Sequence, residues 1–299
     1  TYEFILGDLN KAIELLANTK KTRSDKRYVS LDVAYGIRAR VHLTMHNYAD
    51  ALKDAEAALA STSSVPYSSA AVSKPTFIDI EDASWMWGIL ITDKDRVSTT
   101  GICNFPSHMG SLNYGYASVG GWRRISPKLY NQIPESDVRK GWFLDDTGVS
   151  VNLPAAAQAY ITKKGAPVYT QVKYGPMNDE WGSNNNATDV ILMRVEEMYL
   201  IKAEAQAMSG NVSGGVSTLN SFVTAYRDPS YQCTATTPEA VQEAVWHQRR
   251  IEFWGEGLAY FDIMRLNKGV NRLGCGFPKT AVFNIAAGDP VQIYSIPNK

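Results

Sequence analysis

The chain has 299 residues, 44% of them hydrophobic, which is enough to bury a large core and excludes a disordered chain. Thirty basic residues balance thirty acidic ones, and no run of five or more like charges occurs, so no field draws the chain to nucleic acid or to an anionic membrane surface. No stretch approaches the roughly 18–20 apolar residues of a membrane span.

Taken in chain order, residues 2–16 predict a helix, with Phe4, Leu9, Ile13 and Leu16 near helical spacing, so the sequence is expected to begin inside a domain, as a fragment or processed product. Ala12 and Leu16 stand at the i, i+4 spacing of a buried stripe and suit the second helix of a preceding repeat. Over 28–59, Tyr35, Ala39, His42, Tyr48, Ala51, Ala55 and Ala58 fall where a 34-residue TPR repeat places its packing residues. Small residues let two helices approach, and aromatics fill the remaining gap. From 61 to 188 the chain is punctuated by Gly, Ser, Asn and Pro, is frequent in aromatics and lacks periodicity. Trp85 and Trp87 alternate and are expected in the core. A long irregular insertion in a compact protein is uncommon unless it is functional, since binding groups concentrate on loops held by a rigid scaffold.

Residues 191–208 predict a helix ending at Gly210, and Tyr199, Ala203, Gly210, Gly215, Leu219 and Phe222 repeat the TPR offsets. A further helix starts at Pro238 behind Thr237 as N-cap, with Glu239 facing the positive end of the dipole, and runs to about Trp254 before Gly255. Val291, Ile293 and Ile296 alternate before Pro297 and suggest a short terminal strand or extended tail. The expected fold is mainly α, built of TPR-like helical pairs with a large loop-rich insertion. It reads as one domain in three stretches: helices over 1–60, a ligand-binding region over 61–188 and C-terminal helices over 189–299.

Catalytic and metal-binding patterns are weak. Glu252 and Glu256 stand four apart, as a glycosidase acid and base might, but Gly255 and Gly257 bracket Glu256 and interrupt the helix that would align them. Together with Arg194, Glu197, Arg249, Arg250, Asp262 and Arg265 they read instead as buried ion pairs that fix helix docking. His42 and His46 lack a third ligand at a useful spacing and read as surface or packing histidines. Asp145-Asp146, and Asp179-Glu180 with 184–186, are explained by turn chemistry rather than by Ca²⁺. Cys103, Cys233 and Cys275 form no CxxC or Cys/His cluster, and their apolar neighbours favour three buried thiols over one disulfide with a thiol left over. No catalytic residue, metal or cofactor is expected.

One group rises above packing: Asn104, His108, Asn113, Tyr114, Tyr116, Trp122, Arg123, Trp142 and Trp181, all within the irregular insertion. A sugar ring offers an apolar C–H face and a fringe of hydroxyls, so a carbohydrate site needs aromatic platforms beside polar tips that donate and accept hydrogen bonds. The loop NYGYASVGGWR over 113–123 has that composition, with glycines to keep its backbone adaptable. Trp122 alternatively opens the following helix and packs under it.

Three segments together resemble the SusD/RagB family. ILMRVEEMYLIKAEAQAMSG over 191–210 is similar to the family helix lRyaEvyLiyAEA…G, with Arg194, Glu197, Leu200 and Ala203-Glu204-Ala205 in register. RRIEFWGEGLAYFDIMR over 249–265 resembles RR.EL..EG.R.fDl.R, and YSIPNK lies near the usual terminal IP. The segment GYASVGGWRRISPKLYNQIPESDVR also resembles the region joining a Gly-Trp turn to a helix of the form Ly…D.R. Gln248, where an acid is common, and Ala259, where an Arg is common, depart from the pattern. The resemblance implies a SusD-like fold lacking an N-terminal part here, and a surface lipoprotein of the outer membrane. Its implied role is to bind oligosaccharide or polysaccharide without catalysis and to deliver it to a SusC-like TonB-dependent transporter. A RagB-like oligopeptide binder, or a TPR scaffold holding a partner protein's tail, are the alternatives.

Overall fold

The computed structural model describes residues 1–19, 23–95 and 104–293. Helices α1 (Tyr2–Asn18), α2 (Leu31–Thr44) and α3 (Tyr48–Ser61) come first, followed by the single turn α4 (Ser69–Val72) and strand β1 (Trp85–Ile89). The middle of the chain holds only short helices, α5 (Phe105–Met109), α6 (Pro127–Tyr130) and α7 (Ala155–Lys163). After β2 (Val190–Arg194) the chain is again helical, through α8 (Val195–Met208), α9 (Val212–Tyr226), α10 (Pro238–Glu252) and α11 (Ala259–Arg265), and a two-residue ladder of β3 (Val270–Asn271) with β4 (Asn284–Ile285) follows. No described helix is long and apolar enough to cross a membrane.

The architecture is mainly α, with TPR-like pairs. Ala39 on α2 and Ala51, Ala55 and Ala58 on α3 are fully buried, and their small side chains let the two helices close onto Met198, Ile201 and Ala205 of α8. Arg38 on α2 clamps Asp54 on α3 at 2.6 Å. The second pair repeats the device: Ala203 and Ala207 of α8 meet Leu219 and Phe222 of α9, and the Tyr199 and Phe222 rings stack at 5.7 Å. Gly210 ends α8 with φ +95°, as its C-cap role requires, and Thr237 accepts a hydrogen bond from the Ala240 amide to start α10.

Several expectations are corrected. Residues 190–194 are a strand, not the first turn of α8, because they pair antiparallel with β1, Trp85 opposite Arg194. Trp85 is in the core, but Trp87 is only partly buried, its indole donating to the Arg27 carbonyl. His46 lies beyond α2 with φ +61° and bonds the Arg265 carbonyl at 2.7 Å, so it shares no helical face with His42. The alternation at Val291 and Ile293 is not a strand: Asp289 accepts from the Val291 amide and caps a 3₁₀ turn, Pro290–Gln292, while Ile296 and Pro297 lie outside the described residues. Cys233 is a buried free thiol, Cys275 is a free thiol only partly buried, and Cys103 lies outside the described residues.

A neutral set of charges sits where the strand, the insertion and α10 meet. Four cations, Arg139, Lys173, Arg194 and Arg227, face four acids, Asp137, Glu196, Glu252 and Glu256, all of them buried. Glu252 takes Arg227 at 2.7 Å, Arg194 at 3.0 Å and Arg139 at 3.2 Å. Burial alone would raise the Glu252 carboxyl, but Arg227, Arg194 and Arg139 hold it well below the usual carboxylate range. Glu256 likewise is lowered against its burial by Arg194 and Lys173. A second set ties α2, α8, α10 and α11 together through Arg40–Glu197, Arg249–Asp262 and Arg265–Glu204. Arg250 stands apart from both, half-buried over the Trp246 ring.

Candidate functional site

The residues singled out from the sequence divide into an exposed group and a supporting group. Tyr114 and Tyr116 are 47% and 44% exposed and share one loop with Arg123. The His108 ring, from α5, stacks on Tyr116 at 4.7 Å, and the Arg123 guanidinium carbon lies 5.7 Å from the centre of the same ring. Gly121 passes so near that ring that a Cβ there would stand 2.6 Å from Tyr116 Cε1, so a larger residue would displace the tyrosine. Lys164, at the end of α7, brings its ammonium 5.7 Å from the ring centres of Tyr114 and Tyr160. The result is an exposed face of phenols and cations.

The asparagines expected as ligand groups instead build the loop. Asn104 caps α5 by accepting from the Ser107 amide at 3.0 Å, and its amide donates to the Asn186 carbonyl. Asn113 is 2% exposed; its amide donates to the Asn186 side chain, which in turn donates to the Tyr114 carbonyl at 3.1 Å. Backbone bonds from Tyr114 to Ser183 and from Gly182 to Leu112 complete the seam between the loop and residues 182–186. Buried amides bonded in this way fix a loop's path rather than offer contacts to solvent, although Asn113 Oδ1 itself has no partner among the described residues.

Trp142 is a correction. It is 1% exposed, its indole donates to the Val72 carbonyl at 2.9 Å, and its ring lies edge-on to Phe77 and 4.8 Å from the Lys173 ammonium, forming a wall of the buried charge set. It is therefore removed from the candidate face. Trp122 and Trp181 are half-buried and pack with Tyr160 against Leu112, Leu144, Ala157, Ile161 and Val172, a small core beneath the loop. Trp122 is thus a packing residue, but it neither opens α6, whose N-cap is Ser126, nor packs under it: its cluster draws its buried helical members, Ala157 and Ile161, from α7.

Sequence reasoning missed Lys164, Asn186 and Gln171. Gln171 is fully buried and grips both ends of the loop: its side-chain amide donates to the Met109 carbonyl and, at 3.2 Å, to Ser111 Oγ, while its backbone amide donates to the Arg123 carbonyl at 2.9 Å. Only the Asn-rich run at 184–186 gave a hint of Asn186; Lys164 and Gln171 carry no local signal. Asp145 is spent on its own turn, accepting from the Thr147 and Val149 amides, and no group of three or more metal-ligating side chains occurs among the described residues. Glu252 and Glu256 lie in the buried ion pairs, both bonded to Arg194 and both with side chains closed to solvent.

A scaffold of TPR-like helical pairs that presents an irregular, aromatic and cationic loop face defines the class. The SusD family model matches residues 127–286, more than half of the chain, and the chain belongs to the SusD family. It is similar to the SusD-like protein P38 of Formosa agariphila, 28% identical over 114 residues, which are 36% of this chain and 21% of that one. Among solved structures, a SusD superfamily protein from Bacteroides thetaiotaomicron superposes with a TM-score of 0.73 at 22% identity, over 96% of this chain and 61% of that one. A SusD-like carbohydrate binding protein from Bacteroides vulgatus gives 0.69 at 24%, over 90% and 52%. The likeness to these structures is one of fold. The chain thus spans between half and two thirds of the solved relatives it matches.

Proposed function

We propose that the chain captures an oligosaccharide or polysaccharide on the face of Tyr114, Tyr116 and Arg123, breaks no bond in it, and hands it to a SusC-like TonB-dependent transporter as a surface lipoprotein of the outer membrane. The observation that carries the proposal is the exposure of two tyrosines beside Arg123 and Lys164 on a loop whose two ends are clamped by one buried glutamine. Phenol hydroxyls donate and accept, cations donate, and ring edges meet C–H groups, which matches the mixed surface of a sugar. The naming of one structural relative as a carbohydrate binding protein supports the same reading. Burial of Glu252 and Glu256 in ion pairs supports binding without hydrolysis, since an acid and a base must both reach the scissile bond.

Calorimetry or affinity electrophoresis across plant, host and microbial polysaccharides, with wild type, Tyr114→Ala and Tyr116→Ala, tests the proposal. Loss of binding by variants that keep their far-UV spectrum and melting temperature supports it. Binding unchanged in both, or release of new reducing ends from the bound glycan, sinks it. A well-folded wild type that holds no glycan but retains a peptide would transfer the face to an oligopeptide.

A further inference from the structure

We infer that the ligand is an acidic glycan whose carboxylate or sulfate is held by the open guanidinium edge of Arg123, with Lys164 over Tyr114 of the same loop as a second cation, an inference that rests on the glycan reading of this face. Arg123 uses one terminal nitrogen to donate to its own loop at the Gly121 carbonyl, 2.7 Å away. That bond fixes the guanidinium beside Tyr116 and leaves Nε and the second terminal nitrogen with no partner among the described residues. Lys164 makes no ion pair among them either, although it is held against two tyrosine rings. Every arginine of the two buried sets has a carboxylate, as do Lys140 and Lys268, whereas Arg123 and Lys164, like Arg250 and Arg272 over their own aromatic rings, have none among the described residues. Asp179 and Glu180, the acids nearest to Lys164 in the chain, stand on the turn before Trp181 and pair with neither cation, and Glu135 and Asp137, the nearest to Arg123, are paired with Lys140 and Arg139.

The tyrosines themselves argue in the same direction. With His108 and Arg123 both packed on the Tyr116 ring, recognition there falls to the phenol hydroxyl and the guanidinium edge rather than to an open stacking platform. A guanidinium with two free, roughly parallel N–H directions matches a carboxylate or a sulfate two bonds at a time, which a neutral hydroxyl cannot do. The chain's net charge is zero, so attraction to a polyanion has to be local to this face and is weakened by salt.

The experiment uses two matched pairs: polygalacturonate against the same polymer with its carboxylates reduced to alcohols, and a sulfated galactan against its desulfated form. Binding is measured by affinity electrophoresis and calorimetry at low and physiological salt, with the chain as it stands and with Arg123→Gln, Lys164→Gln, the two Gln substitutions combined, and Arg123→Lys. The expected result is that at least one charged polymer binds about tenfold or more tightly than its neutral partner. Arg123→Gln and Lys164→Gln should each remove that preference with melting temperature unchanged, and Arg123→Lys should restore it only in part. Preference within the first pair assigns a carboxylate, within the second a sulfate. Equal binding within both pairs, or a preference that survives the double Gln variant, overturns the acidic ligand and leaves the glycan reading standing. Binding only to uncharged glucans overturns it too. Failure of wild type to bind any glycan, charged or neutral, removes the glycan reading itself.

Discussion

The molecule treats charge in opposite ways in two places. Around Glu252 every buried cation has a carboxylate and every carboxylate a cation, so the set is neutral and closed to solvent. On the loop face Arg123 and Lys164 rest on tyrosine rings, in contact with solvent, and have no carboxylate among the described residues. Paired charge in a low-dielectric interior specifies how elements dock; unpaired charge at an exposed aromatic surface is available to something else. The two regions are also joined: Lys173 sits in the first and its backbone amide bonds the Gln171 side chain, which holds the second.

Breaking the paired region should have the largest effect. Glu252→Ala leaves Arg139, Arg194 and Arg227 short of a common partner and is expected to cost about 3–5 kcal/mol, measured by urea unfolding. A wild-type midpoint would show that the ion pairs are idle. The carboxyls of Glu252, Glu256 and Asp262 are held low by their cations, so their ionised forms favour the fold. Their contribution is fully present above about pH 4.5, where the unfolded carboxyls are ionised too, and is lost as the pH falls through the lower folded values. Melting temperature should therefore drop steeply below about pH 4, and a flat profile would contradict the assignment.

The turn between the two regions comes next. Gly255 has φ +80°, and a Cβ there would lie 2.7 Å from Met109 Cε and 3.0 Å from the Tyr174 hydroxyl. Gly255→Ala combines backbone strain with overlap, and a loss of about 1–3 kcal/mol is expected. Because Met109 also stands at the start of the loop face, the variant should weaken ligand binding as well, whereas Gly257→Ala, with open space around its Cβ, should carry the strain without the overlap.

What the sequence made legible follows from how local each signal is. Ala39, Ala51, Ala55 and Ala58 announce a close helix pair because helical spacing alone puts them on facing sides. The strand at 190–194 was hidden because its apolar run fits a buried helix equally well, and its partner, Trp85–Ile89, is a hundred residues away. Tyr114 and Tyr116 lie on the irregular loop that the sequence predicts, but Trp142 lies in the same irregular insertion and is buried. Only the long-range packing of Phe77 and Lys173 on its ring distinguishes the two cases. Lys164 and Gln171 were invisible for the same reason. Each acts on a loop some forty to sixty residues earlier, and neither belongs to a pattern that spacing can reveal.

Gln171 offers the sharper way to separate the two regions. Gln171→Glu keeps the size of the side chain but turns the donor facing the Met109 carbonyl and Ser111 into an acceptor. A buried acceptor facing a carbonyl should cost about 1–3 kcal/mol. Glycan affinity should fall, although no group assigned to the ligand has been touched. If affinity holds while stability drops, the loop does not depend on its clamp.

The smallest effect on stability and the largest on binding are expected together at Tyr116. Its ring is half exposed, so Tyr116→Ala should change unfolding free energy by only about 0.5 kcal/mol. It removes the surface on which His108 and Arg123 are held, and binding should fall about tenfold or more. Tyr116→Phe divides the two contributions. It keeps the ring that positions Arg123 and deletes only the hydroxyl, so an intermediate loss assigns part of the recognition to that phenol. Binding equal to wild type would mean that the tyrosine serves only to hold its cation in place, and Arg123 would then carry the contact alone.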